Sequence, residues 1–350
     1  MRVTTTKTNR KDDRVIKRKV STNYMAGAVC FFTSAVAMAD KVDDCIIEGV
    51  KSASEESSLV ALKENCERLR EPEVEVPERF IEEKNTEDNP FVITPHRQNY
   101  ILAYSYMDDP NQAPYQQSFY PDLNEPMNNE EIKLQLSLKV PLTYSKLFVE
   151  NDAIYFGFTL KSFWQFYNSD LSAPFRETNY RPEIYYEASF PFQPWNGTLM
   201  TRVGIEHESN GRSQFLSRSW NRVFVGVGFA QNNWGVYFQP WYRIPENSKV
   251  DDGDPTTPPP PKGDDNPDIS DYLGHYELHG VYDYKDVEFS GMTRYSFEEG
   301  YGAIELGMSF PLWGRLKGYV QYFNGYGESL IDYNHHIERI GVGVLLTDIL

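Results

Sequence analysis

From residue 91 onward the chain alternates. Between positions 132 and 142, Ile132, Leu134, Leu136, Leu138, Val140 and Leu142 are apolar, and Lys133, Gln135, Ser137 and Lys139 stand between them. The same period of two returns in Ile154, Phe156, Phe158 and Leu160, and in Val223, Val225, Val227 and Phe229. It returns again in Ile304, Leu306 and Met308, and in Ile340, Val342 and Val344. Successive side chains of a strand point to opposite faces, so each segment predicts a strand with one apolar and one polar face. About twelve such segments follow one another, each near the ~10 residues a tilted membrane strand needs. Turns of Gly, Asn, Asp and Pro separate them, which predicts an all-β, antiparallel sheet. Two architectures satisfy that pattern, a soluble β-sandwich and a transmembrane β-barrel.

The N-terminal part reads differently. Lys17, Arg18 and Lys19 precede an apolar run from Met25 to Val36, and Ala37-Met38-Ala39 supplies a small-x-small cleavage pattern. The run is too short to span a bilayer and predicts a cleaved secretory signal over 1–39. Over 40–70, Cys45, Ile46, Ile47, Val50, Leu59, Leu62, Cys66 and Leu69 are scattered among charges without a period of two. A short helical hairpin is expected there. Cys45 and Cys66 form an even pair in an exported chain and are expected to clip it with a disulfide. Residues 70–90 are acidic, carry Pro72 and Pro77, and read as a linker. The expected organisation is therefore a signal over 1–39, a helical extension and linker over 40–90, and a transmembrane barrel domain over 91–350.

Composition decides between the two sheet architectures. The chain is polar overall, yet aromatic residues make up 15% of it, with 24 Tyr, 21 Phe and 6 Trp. A transmembrane barrel has this composition, because half of each strand faces a polar interior while Tyr and Trp collect at the membrane interfaces. The net charge of -17 excludes a nucleic-acid partner and tolerates a divalent cation. Residues 248–270 carry Asp251, Asp252, Asp254, Asp264, Asp265 and Asp268 around the Pro258–Pro261 run, and read as a flexible, solvated insertion. They lack the Gly and Glu positions of an EF-hand.

The chemistry concentrates in 198–229. Along 199–209 the odd positions Leu199, Thr201, Val203 and Ile205 are largely apolar and end in His207 and Ser209, while Arg202, Glu206 and Glu208 occupy the even face. Asn221 shares parity with Val223, Val225, Val227 and Phe229. A hairpin centred near Gln214 sets His207 opposite Asn221 and Ser209 opposite Ser219, with opposed Cβ atoms roughly 5 Å apart. A polar group on a lipid-facing wall is costly unless it has partners or a task. A serine hydroxyl becomes a nucleophile when an imidazole takes its proton, and the imidazole needs a third group to fix its tautomer. Ser209, His207 and Asn221 fit those three roles and point to acyl transfer, completed by hydrolysis. The plainer alternative is that they are ordinary interface polars at a strand end.

These residues resemble a known family, the outer-membrane phospholipases A. The resemblance rests on H-E-S-N-G-R-S at 207–213 and S-R-S-W-N-R at 217–222. It continues in K-S-F-W-Q at 161–165, S-A-P-F-R-E-T-N-Y at 172–180, D-D-N-P-D-I at 264–269 and G-Y-G-E-S-L-I-D-Y-N at 325–334. It implies a twelve-stranded barrel in the bacterial outer membrane that works as a calcium-dependent homodimer. It also implies hydrolysis of sn-1 and sn-2 acyl esters of phospholipids and lysophospholipids through an acyl-enzyme. Carried onto this sequence, Ser209 is the nucleophile, His207 the base and Asn221 its orienting partner. Calcium is expected at the Arg212 carbonyl, Ser217, Ser172 of the second subunit, and Asp265. Its waters and the Gly211 amide would support the oxyanion. Two positions depart from the family: Leu160 stands where it has a polar glutamine at its dimer contact, and Gln214 where its catalytic loop is acidic. The rival of another class is a passive porin or adhesin-like barrel, which accounts for the alternation but not for the three polar residues on one face. A third reading is a structural barrel whose 40–70 hairpin binds a partner.

Overall fold

The structure is a computed structural model; it describes residues 93–116, 125–143, 146–192, 195–250 and 260–347. The expected signal, the 40–70 hairpin and the Cys45–Cys66 disulfide lie outside the described residues. The strands in chain order are β1 (Thr94–Pro95), β2 (Asn99–Met107), β3 (Glu130–Pro141), β4 (Asp152–Trp164), β5 (Glu177–Phe192), β6 (Gly197–Ser209) and β7 (Ser219–Gln231). They continue as β8 (Trp234–Arg243), β9 (Tyr276–Tyr284), β10 (Val287–Tyr295), β11 (Gly302–Trp313), β12 (Leu316–Tyr326) and β13 (His336–Thr347). Among the described residues two short α-helices, α1 (Ala113–Gln116) and α2 (Ile269–Leu273), and a 3-10 turn over Gln214–Leu216 interrupt them.

Every strand from β2 to β13 pairs antiparallel with the next, and β13 pairs back onto β2. The two residues of β1 pair with β3 just beyond the stretch of β3 that β2 uses, so β1 and β2 are one interrupted barrel strand. The result is a closed twelve-stranded antiparallel barrel. Closure leaves no open sheet edge, so the strands of the wall bond to one another all the way round, as a lipid environment demands.

The alternation seen in the sequence becomes inside and outside. On β6, Ile205 is 56% exposed while its neighbour Glu206 is 3% exposed. On β3, Lys133 and Lys139 are buried in the interior, whereas Leu136 faces outward. The barrel is thus inverted relative to a soluble protein: apolar outside, charged inside. Many of the interior charges are paired. Lys133 reaches Glu328 at 3.0 Å and Glu305 at 3.3 Å, and Arg339 bonds Glu131 at 3.0 Å and Glu328 at 2.8 Å. Buried charges persist only when paired and hydrogen-bonded, and this network meets that condition. Burial by itself would raise the Glu328 carboxyl, but Arg339 and Lys133 outweigh it and hold it at about 2.

The two rims differ. At one, tight turns join β7 to β8, β9 to β10 and β11 to β12. Their first residues, Asn232, Lys285 and Gly314, have positive φ, as hairpin turns matching the strand twist require. At the other rim lie the longer connections 108–129, 165–176, 210–218, 244–275, 296–301 and 327–335. Outer-membrane barrels place short turns on the periplasmic side and longer loops outside. Aromatic clusters mark both rims: Phe192, Trp195, Phe229 and Trp234 at the tight-turn end, and Trp164, Phe166, Tyr167 and Phe175 at the other. Phe229 faces outward as its parity predicts, but its aromatic neighbours cover it to 9% exposure.

One expectation is corrected. The described end of the 248–270 segment is packed rather than solvated. Asp264 bonds Arg243 at 2.6 and 2.8 Å, Asn266 is fully buried, and Ile269 and Leu273 of α2 enter an interior cluster with Trp220, Phe224 and Trp241. The sequence pattern fails there because a run of aspartates reads as solvated regardless of whether arginines from a neighbouring strand await it. Burial and the Asp268 carboxylate, which accepts from the Tyr333 hydroxyl at 2.6 Å, push that phenol above its ordinary value.

Candidate active site

The β6–β7 hairpin has the register the parity argument requires: His207 is opposite Asn221 and Ser209 opposite Ser219. All three candidate residues lie on the outer, lipid-facing side at the long-loop rim, each half-buried. His207 Nδ1 and Asn221 Oδ1 are 2.9 Å apart. The amide oxygen can only accept, so Nδ1 carries the proton and donates, leaving the Nε2 lone pair for a second partner. Ser209 is two residues along the same face, roughly 6.5 Å at Cα. No hydrogen bond joins it to His207 among the described residues; such contacts are often loose until substrate binds. Across the outer wall, Ser209 pairs with Tyr180, Tyr180 with Leu160, and Leu160 with Leu136. An apolar row therefore runs directly away from the serine.

The inner side of the same strands acts as a clamp. Trp220 Nε1 donates to Glu208 at 3.0 Å, and Arg222 bonds Glu208 at 3.1 Å and also Glu206. The Arg222 guanidinium lies over the Trp220 ring at 3.8 Å and over Trp241 at 4.9 Å. Alternation placed Glu206 and Glu208 on the charged face; in the fold they, with Trp220 and Arg222, fix the strands that carry His207, Ser209 and Asn221.

The connecting loop is organised by Asn210, which the sequence reading passed over. Its side chain donates to the Leu216 carbonyl at 2.7 Å and accepts from the amides of Arg212 at 3.2 Å and Arg218 at 3.0 Å. One buried amide thereby ties both ends of 210–218. Gly211 sits at φ +63°, and a Cβ there would meet Tyr180 at 3.3 Å. The only sequence signal was the adjacent Asn-Gly pair, a turn signature.

The residues expected to hold calcium fall in two groups. Ser217 Oγ donates to Asp265 at 2.8 Å, and the Ser219 hydroxyl lies 3.4 Å from the same carboxylate. Lys249 pairs with the other Asp265 oxygen. Arg212 turns its guanidinium onto the carbonyls of Phe175 and Arg176, at 2.7 and 2.8 Å, on the 165–176 loop that carries Ser172. Ser172 itself accepts the Trp164 indole N–H at its carbonyl, at 2.7 Å. Among the described residues no three His, Cys, Asp or Glu side chains form a metal cage. Hydroxyl, carbonyl and single-carboxylate oxygens are nevertheless the hard donors calcium takes, with waters completing its shell. The Lys249 ammonium shows that the Asp265 carboxylate already takes a cationic partner.

Glu246 was missed entirely. Asn221 Nδ2 donates to Glu246 Oε1 at 2.9 Å. Nothing local in the sequence marks it, because it meets Asn221 only through the pairing of β8 with β7.

A closed, apolar-walled barrel with polar groups gathered on its lipid face defines a transmembrane β-barrel protein that carries a surface site. The comparisons narrow this. A family model described as Phospholipase A1 matches residues 76–346. The Phospholipase A1 of Escherichia coli K12 is 38% identical over 268 residues, covering 75% of this chain and 84% of that protein. The Klebsiella pneumoniae Phospholipase A1 is 38% identical over 265 residues, covering 75% and 85%. The solved outer membrane phospholipase A of Escherichia coli superposes with a TM-score of 0.66 at 38% identity, over 75% of this chain and 95% of that one. The Salmonella typhi outer membrane phospholipase, solved as a dimer with bound calcium, gives 0.66 at 37% identity with the same coverage. The chain belongs to the phospholipase A1 family of outer membrane phospholipases.

Proposed function

We propose that this barrel hydrolyses sn-1 and sn-2 acyl esters of phospholipids and lysophospholipids in the outer membrane by a Ser-His-Asn acyl-enzyme mechanism, as a calcium-dependent homodimer. The observation that carries the reading is the His207–Asn221 hydrogen bond beside Ser209 on the lipid-facing wall, in a chain of a phospholipase family. With Nδ1–H held by Asn221, His207 Nε2 takes the Ser209 proton as the hydroxyl attacks the ester carbonyl. The same nitrogen returns the proton to the departing alcohol, then deprotonates the water that releases the fatty acid. The Gly211 amide is the oxyanion donor contributed by the loop. The row Tyr180, Leu160 and Leu136 offers the acyl chain an apolar wall, and the substrate reaches it sideways from the bilayer.

The donor set at Ser217 and Asp265, with the Arg212 carbonyl, fits calcium, and Ser172 of a second subunit completes it in this reading. Calcium held by these oxygens would supply positive charge to stabilise the oxyanion. The calcium-bound dimer of the Salmonella typhi relative supports this assignment. The barrel follows a cleaved signal over 1–39 and an extension over 40–90.

The test is fatty-acid release by the detergent-solubilised protein from phospholipids labelled separately at each acyl position, with calcium and with chelator. Release from both positions in calcium only is expected. Absence of release under all conditions, together with steady ion conductance in a planar bilayer, would favour the passive-pore alternative.

A further inference from the structure

We propose that Glu246 is a positioning residue for this site, acting through Asn221 on His207; the inference rests on the catalytic reading above. A neutral asparagine has two weaknesses as an orienting partner. Its amide can turn over, presenting Nδ2 in place of Oδ1, and it carries no charge to stabilise an imidazolium. The fold answers both. Asn221 Nδ2 donates to Glu246 Oε1 at 2.9 Å, and a carboxylate can only accept, so the opposite edge of the amide is fixed as the acceptor facing His207 Nδ1 at 2.9 Å. The chain of contacts ends on an anion. It places a negative charge one amide away from the ring that becomes positive as Ser209 loses its proton. Hydrogen-bonded chains polarise one another, so the amide transmits part of that charge.

Glu246 reaches this place by continuing the outer parity of β8. Val236, Phe238 and Tyr242 face outward, and beyond the strand Ile244 N still donates to Asn221 O at 2.8 Å. Two residues further, Glu246 falls on the same face as Asn221. The other charged groups nearby are committed elsewhere. Glu206, Glu208 and Arg222 point into the barrel and bond each other. Arg243 holds Asp264, and Lys249 holds Asp265.

The test uses the full chain in detergent, with Glu246→Gln and Glu246→Ala beside the unsubstituted protein and Ser209→Ala. Two quantities are followed against pH: covalent labelling of the serine by a fluorophosphonate, which needs no lipid binding, and hydrolysis resolved into kcat and KM. The glutamine variant retains an acceptor for Asn221 but removes the charge; the alanine variant removes both. The expected loss in labelling rate and kcat is about tenfold for alanine and about threefold for glutamine, with KM within about twofold. In both variants the acid limb of the labelling profile moves down by about half a unit, because removing a nearby anion makes the imidazolium less stable. A merely structural contact would lower activity without moving the limb, and that outcome overturns the proposal. So does a profile identical to that of the unsubstituted protein, or a loss confined to KM. Labelling of Ser209→Ala at the unsubstituted rate would instead remove the catalytic reading on which the proposal stands.

Discussion

At the scale of single residues, the proposed mechanism separates groups that react from groups that aim. Ser209 supplies the attacking oxygen in the proposed mechanism, so Ser209→Ala is expected to cut hydrolysis by at least about a thousandfold. The thermal unfolding of the barrel should stay unchanged; comparing turnover with a melting curve on one preparation checks both halves. Asn221→Ala leaves His207 Nδ1 without its acceptor. Losing that bond costs about 1–3 kcal/mol of orientation, hence roughly ten- to hundredfold in kcat, read in the same turnover assay. A larger effect of Asn221→Ala than of Ser209→Ala would contradict the assigned roles.

At the scale of elements, Asn210 ties the two ends of the 210–218 loop together between the strands it joins. It is 4% exposed and spans from the Leu216 carbonyl to the amides of Arg212 and Arg218. Asn210→Ala strips partners from three backbone groups at once, the buried Leu216 carbonyl and the part-buried amides of Arg212 and Arg218. The expected cost is about 1–3 kcal/mol in unfolding free energy, with a fall in turnover because the Gly211 amide and the Arg212 carbonyl are no longer held. Denaturant unfolding followed by intrinsic tryptophan fluorescence measures the first, since Trp220 lies on the inner face of the hairpin itself. Unchanged stability would mean the loop is held by its strands alone.

At the scale of the whole molecule, two couplings follow from the barrel's inversion. The first is with pH. The Glu328 carboxyl, on the 327–335 connection, is held at about 2 against an ordinary 4.5. A depressed carboxylate contributes stability that is complete above its unfolded value and is lost as pH falls through its folded value. Stability from this group is therefore expected to be constant down to about 4.5 and to drain away between there and about 2. Acid unfolding of Glu328→Gln should be flatter across that window than that of the unsubstituted chain. The second coupling is between calcium and self-association. If a second subunit contributes Ser172, calcium binds the dimer better than the monomer and, by linkage, drives dimerisation. Cross-linking and hydrolysis followed in one calcium titration are expected to rise with the same midpoint. Full activity in a protein that stays monomeric would sink the shared site and leave the serine chemistry untouched.

The sequence by itself determined the wall. A period of two in residues such as Ile132 to Leu142 leaves each strand one way to face, since a slip of one residue would turn Lys133 and Lys139 to lipid. Because parity also runs through His207, Ser209 and Asn221, and because hairpin register follows from loop length, the opposition of His207 and Asn221 was legible before any coordinates. What lies further apart in the chain was not. Glu246 meets Asn221 because β8 pairs with β7, Asp264 is buried because Arg243 awaits it, and Lys133 is neutralised by Glu328 across the interior. Those contacts depend on which strands become neighbours when the barrel closes. Alternation fixes the face of each residue but carries no information about its partner across the fold.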